Sequence, residues 1–267
     1  LETPLPMNRL TALMLLTLLA AGCGGEYIVT APDTVGTAGE EATVVVRLQR
    51  REFATLKPAV EDAAITLKLA GRSVCCAFTD EDGYAAIEVE LPERPGRYVA
   101  RLHHQDMWGD EMVGQAAVYA LPPDRPVVLA DLDSLPRNDR AGEAAAALQR
   151  LAERAELVYV TCARAGSPEA ARRVVDEAGY REGPVVPCPS GGTLTDWSRH
   201  EVDALAALRR RLEGLQWAVT ADAGKGRTFL RAGLNVLAVG GFEVDRPEAA
   251  TAEVRSFDSW TKLYFPR

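Results

Sequence analysis

Three short apolar runs in the second half of the chain end in side chains that can do chemistry. VVLA at 127–130 leads into Asp131-Leu132-Asp133, LVYV at 157–160 into Thr161-Cys162-Ala163-Arg164, and the run at 216–219 into Thr220-Ala221-Asp222. Three carboxylates and a hydroxyl brought to one spot would hold a divalent cation and a phosphoryl oxygen. Each residue also has a plain structural explanation. Asp and Thr favour places where a strand enters a loop, and Thr161 and Asp222 would cap the helices that follow. Capping suffices for any one of them; three strand ends carrying such groups together point to an inherited site.

The ends meet only if the runs are parallel strands of one sheet. Strand-like runs at 127–131, 157–161, 184–187, 216–220 and 234–240 alternate with helical stretches around 142–155, 168–178, 196–212 and 228–232. That rhythm predicts an α/β domain with a doubly wound parallel sheet over 122–267. VVLA, LVYV and NVLAV are continuously apolar, as strands covered on both faces must be. Such sheets bind ligands at the carboxyl ends of their strands, where strand order reverses. The rhythm changes at LPPDRP, which sets a boundary near 122–126. Before it, short alternating runs such as ATVVVRLQR, AAITLKLA, YAAIEVEL and RYVARLHH, separated by turn clusters, predict an all-β sandwich over 23–121. The turn Asp80-Glu81-Asp82-Gly83 is too short for a calcium loop and reads as a chain reversal.

The stretch FTDEDGYAAIEVELPERPGRYVARL resembles immunoglobulin-like or transthyretin-like modules of bacterial surface proteins, which implies a spacer or a binding face for an unspecified partner. Upstream, MNRLTALMLLTLLAAGC has the layout of a secretory signal. Ala20-Ala21-Gly22-Cys23 resembles a bacterial lipobox. The resemblance implies a signal peptide at 1–22, a lipidated Cys23, and a chain anchored to a membrane in the bacterial cell envelope. A conventional signal cleaved near Gly25 is the alternative. The apolar part, 10–22, falls short of the roughly 18–20 residues a spanning helix needs.

Further pieces appear in order along the second half. LVYVTCARAGSPEA resembles the Tyr-[Leu/Val]-[Ser/Thr]-x-Arg segment of the lipin-type phosphatidate phosphatase group, within the haloacid-dehalogenase superfamily. GPVVPCPSG is similar to its Gly-Pro-x-x-x-x-Pro segment, and SFDSWTKLYFP to its closing Phe-Pro tail. The resemblance implies a phosphohydrolase acting on a phosphate monoester, a lipid phosphate such as phosphatidate among them. Asp131 would be the nucleophile and Asp133 the general acid and base. Thr161, Arg164 and Lys225 would hold the substrate; Asp131, Asp133 and Asp222 would hold Mg²⁺. The chemistry is coherent: a carboxylate can form an acyl-phosphate that water releases, and Mg²⁺ offsets the repulsion between two anions. Three positions depart from the family's pattern. Leu135 stands where the first motif has a hydroxyl. Arg199-His200-Glu201 occupies the place of a Lys, and Gly226 that of a second acid. Two readings therefore stand, an aspartate-based phosphatase and a catalytically decayed domain that binds or scaffolds.

Composition bounds the rest. The 267 residues include 30 Lys+Arg against 38 Asp+Glu, a formal charge of −8, with 47% hydrophobic residues. An acidic globular chain without a basic run gives nucleic acid no purchase. Ala223-Gly224-Lys225-Gly226-Arg227-Thr228 opens a helix after a strand, but its glycine spacing is not that of a P-loop. Lys225 is expected to reach an anion at that helix start. Cys75, Cys76, Cys162 and Cys188 lack zinc spacing; a Cys162–Cys188 disulfide and plain burial both remain open. His103-His104 is expected to be a solvated strand end, since neighbours in a strand face opposite ways.

Overall fold

The structure, a computed structural model of the chain, describes residues 26–51, 57–107, 109, 111–136, 142–161, 168–187, 197–245 and 251–265. Residues 1–22, Cys23, Cys162, Arg164 and Cys188 lie outside them, as does the side chain of Cys75. Among the described residues no helix is long and apolar enough to cross a membrane.

Eight strands form the first half: β1 (Glu26–Thr30), β2 (Thr34–Thr37), β3 (Glu41–Arg51), β4 (Ala64–Leu69), β5 (Arg72–Phe78), β6 (Tyr84–Glu90), β7 (Gly96–Gln105) and β8 (Glu111–Leu121). Alternation along β3, β4 and β6 decides how they stack. Val44, Val46 and Leu48 of β3 and Ile87 and Val89 of β6 face Ile65 and Leu67 of β4, Leu102 of β7 and Val118 of β8 in one core, so a β1-β3-β6 sheet lies on a β2-β8-β7-β4-β5 sheet. The chain changes sheets between its first two strands: β1 runs antiparallel to β3, whereas β2 lies parallel to β8. Two local devices hold the reversals. Asp80 accepts the N–H groups of Asp82 and Tyr84 at 3.0 and 2.8 Å, with Gly83 at φ 77°. The Tyr98 hydroxyl, near the start of β7, donates to the Arg94 carbonyl at 2.6 Å and ties the strand to the turn before it. The histidine expectation needs correction. His103 and His104 do face opposite sides of β7, but His104 is buried, edge-on to the Tyr27 ring with Nδ1 3.0 Å from the Ala64 carbonyl oxygen.

The second half alternates β9 (Val127–Asp131), α1 (Glu143–Ala152), β10 (Glu156–Thr161), α2 (Pro168–Glu177), β11 (Val185–Pro187), α3 (Trp197–Arg211), β12 (Leu215–Thr220), α4 (Ala223–Arg231), β13 (Asn235–Val239) and β14 (Val254–Phe257). The six strands are parallel in the order β11-β10-β9-β12-β13-β14. This is the doubly wound α/β fold. Alternate residues of each strand point to the two faces. Val128, Ala130 and Tyr159 pack under Leu148 and Leu151 of α1 and Val175 of α2. Leu129, Val158 and Ala218 pack under Leu205 of α3 and Phe229 and Leu230 of α4. Each Val, Leu or Phe side chain among them contributes roughly 1.5–3 kcal/mol by leaving water. One helix differs from expectation: α4 begins at Ala223, not 228. Asp222 caps it, accepting the Lys225 N–H at 2.8 Å.

The two halves share packing. Val35 of β2 and Tyr119 and Leu121 of β8 belong to the same buried cluster as Val127, Leu129 and Val158. Asp33, between β1 and β2, meets the Arg172 guanidinium of α2 and accepts the Val185 N–H at 2.6 Å.

Candidate functional site

Strand order reverses between β9 and β12, because the chain leaves β9 for β10 on one side and returns to β12 on the other. Their carboxyl ends, with that of β10, form the crevice where such folds place ligands. Asp131 closes β9, Thr220 closes β12 and Thr161 closes β10. Of the residues singled out in the sequence, Asp131 and Thr161 stand at these strand ends, and Asp133 and Asp222 lie in the loops that follow β9 and β12.

Asp131 is 1% exposed, and its Oδ2 accepts the Thr220 hydroxyl at 2.7 Å. Burial pushes its pKa above the ordinary carboxylate range, against the opposing pull of the Thr220 and Ser134 hydroxyls and the Lys225 charge. Thr220 is itself fully buried; its Oγ1 also accepts the Asp222 N–H at 3.0 Å and lies 3.1 Å from Ser134 Oγ. Ser134 Oγ accepts the Ala221 N–H at 2.9 Å. The loops after β9 and β12 are thus sewn together by two hydroxyls around one carboxylate. Asp133 is exposed, and its Oδ1 accepts the Thr161 hydroxyl at 2.7 Å.

Asp222 carries out the helix capping that residues of its type favour, and its carboxylate is engaged by the first turn of α4. Lys225 Nζ lies 2.7 Å from Glu201 Oε1 of α3, with side-chain exposures of 20% and 9%. The anionic member of this pair sits on the helix where the family's pattern has a cation. Gly226 is buried, and a Cβ there would come within 2.9 Å of Val244 Cγ2. Leu135 is likewise buried, packed with the face that α1 covers. Among the described residues no three His, Cys, Asp or Glu side chains are grouped to hold a metal ion. Asp222 Oδ1 accepts the Lys225 N–H, while Asp131 and Asp133 accept the Thr220 and Thr161 hydroxyls.

Sequence reasoning missed Ser134, Thr220 and Glu201. For Ser134 there was a signal: the hydroxyl sought at 135 stands one position earlier. Thr220 was visible at its strand end beside Asp222. Glu201 gave none, because its partner lies 24 residues away on another helix.

No family model matches the chain, and no curated protein matches it. Among solved structures, a bacterial ice-binding adhesin aligns with 35% of this chain at 17% identity and a TM-score of 0.25, and the match spans 31% of the adhesin chain. CopC from Methylosinus trichosporium OB3b aligns with 37% of this chain and 95% of its own at 17% identity, TM-score 0.24. A family 39 glycoside hydrolase from Bacteroides cellulosilyticus WH2 aligns with 80% of this chain and 51% of its own at 12% identity, TM-score 0.28. These are weak likenesses of shape. The chain is a two-domain protein, a β-sandwich followed by a doubly wound α/β domain.

Proposed function

We propose that the α/β domain is a non-enzymatic, haloacid-dehalogenase-like module that binds or scaffolds, carried with its β-sandwich on a lipid-anchored envelope protein. The observation that carries this reading is the engagement of Asp131. A nucleophile needs an ionised, approachable carboxylate. This one is 1% exposed, and its Oδ2 is occupied by the Thr220 hydroxyl.

Two more features support the reading. Glu201 neutralises Lys225, weakening the cationic field that would draw a phosphate into the crevice. Close packing of Gly226 on Val244 fills the place of the family's second acid. Anchoring through Cys23 rests on the lipobox resemblance and is tested by metabolic labelling with a fatty acid, which Cys23→Ala should abolish.

The decisive experiment is phosphate release by the full chain, with and without Mg²⁺, on an aryl phosphate and on dispersed phosphatidate, beside Asp131→Asn. The expected result is equal, background release by both proteins. Mg²⁺-dependent turnover that Asp131→Asn removes would overturn the proposal and establish an aspartate-based phosphatase.

A further inference from the structure

The outward face of the β2-β8-β7-β4-β5 sheet holds two features that cost stability, and both line one concavity. Lys68 of β4 and Arg101 of β7 are directly opposed in antiparallel register. Like charges so placed repel and destabilise a sheet. Neither side chain has an ion-pair or hydrogen-bond partner among the described residues. Arg101 is in turn opposite Gln115 of β8, so a cation, a cation and an amide run across three neighbouring strands.

The second feature is the two-residue turn joining β4 to β5. Leu69 pairs with Arg72, and Ala70 and Gly71 between them have φ of 50° and 81°. Such turns take Asn, Asp or Gly; alanine held left-handed costs roughly 1 kcal/mol. Ala70, Gly71, Lys68, Arg101, Gln115 and Val99 together line a cavity of about 530 Å³. That volume suits a small molecule. Backbone strain and unpaired charge recur where a structure is shaped for a ligand rather than for its own stability.

We infer that this face binds a compact organic dianion. A carboxylate or phosphate group lies between Lys68 and Arg101, its hydroxyl or carbonyl reaches Gln115, and an uncharged part rests on Val99 and Ala70. The Arg fork matches either oxyanion bidentately, while Lys supplies a point charge. The cavity supplies cations in a chain whose net charge is −8, so binding there is local recognition and not bulk attraction. The inference is independent of what the α/β domain does, and the two tests share no residue.

The test uses the full chain and two probes, citrate and inorganic phosphate, at ionic strength matched with chloride. Affinity is measured calorimetrically and thermal unfolding is followed in parallel. Lys68→Gln and Arg101→Gln are each expected to weaken citrate binding roughly tenfold, the loss of one charge-assisted contact. Without any probe, each variant should melt above the wild type, because the opposed charges are relieved. Tighter binding of citrate or of phosphate assigns the oxyanion. The inference is overturned by citrate and phosphate both failing to bind, by equal affinities in wild type and variants, or by variants that melt lower without a ligand.

Discussion

Thr220→Val tests whether the switch-point crevice is held by its hydroxyl network. Valine copies the shape of threonine, so packing at this fully buried position is nearly unchanged and the hydroxyl alone is removed. Three contacts go with it: the 2.7 Å bond to Asp131, the 3.0 Å bond from the Asp222 N–H and the 3.1 Å contact with Ser134. A bond to a carboxylate is worth about 1.5–3 kcal/mol and each neutral one about 0.5–1 kcal/mol, so the loss should total about 3 kcal/mol. For a chain of this size that is roughly 6–12 °C in Tm. Asp131 has a folded pKa raised above its unfolded one. Its contribution to stability is therefore full below the unfolded pKa and declines as pH rises through the folded pKa. The Thr220 bond opposes that rise, so Thr220→Val raises the folded pKa further and costs more at pH 8 than at pH 3. Urea unfolding of the single variants and of Thr220→Val/Asp131→Asn closes a double-mutant cycle, with an expected coupling of about 1 kcal/mol. A Thr220→Val cost under about 1 kcal/mol, or one with no coupling to Asp131, would refute the reasoning.

Other substitutions probe the neighbouring contacts. Gly226→Ala should destabilise by about 1 kcal/mol, since its new methyl meets Val244. In a Val244→Ala background the same change should turn stabilising by about 0.5–1 kcal/mol through helix propensity, read from Tm shifts. Glu201→Gln should cost about 2 kcal/mol in urea unfolding by removing the charge that faces Lys225 Nζ, whereas Glu201→Leu/Lys225→Met should restore most of that stability. Asp33→Ala removes the acceptor of both Arg172 and the Val185 N–H, and should split one calorimetric transition into two as the halves uncouple.

What the sequence reveals here follows from how locally each feature is specified. VVLA and LVYV are legible as doubly covered strands because every residue in them is buried, whichever face it points to. Strands such as β3, β4 and β6 are legible for the opposite reason, their alternation of buried and outward-facing residues. By contrast, α4 begins with Ala-Gly-Lys-Gly-Arg, two glycines and no apolar stripe; it forms because Asp222 caps it and Gly226 seats on Val244. Those are tertiary causes. At the crevice, the strand-end acids are readable as residue types, but their state is not. Burial of Asp131, the Thr161–Asp133 bond and the Lys225–Glu201 pair depend on groups that come together only when the sheet order is fixed. The bond from the Val185 N–H to Asp33, spanning 152 positions, is the extreme case.

The change of sheet between β1 and β2 has a mechanical consequence. When the chain is pulled at its beginning while its end is held, β1 can be unzipped from antiparallel β3 one residue pair at a time. The parallel β2–β8 ladder, from Thr34 opposite Val118 to Thr37 opposite Leu121, is loaded along its length instead. All of its bonds must yield together in shear. Those four pairs directly precede the segment that enters β9, so the ladder carries the load in series with the α/β domain.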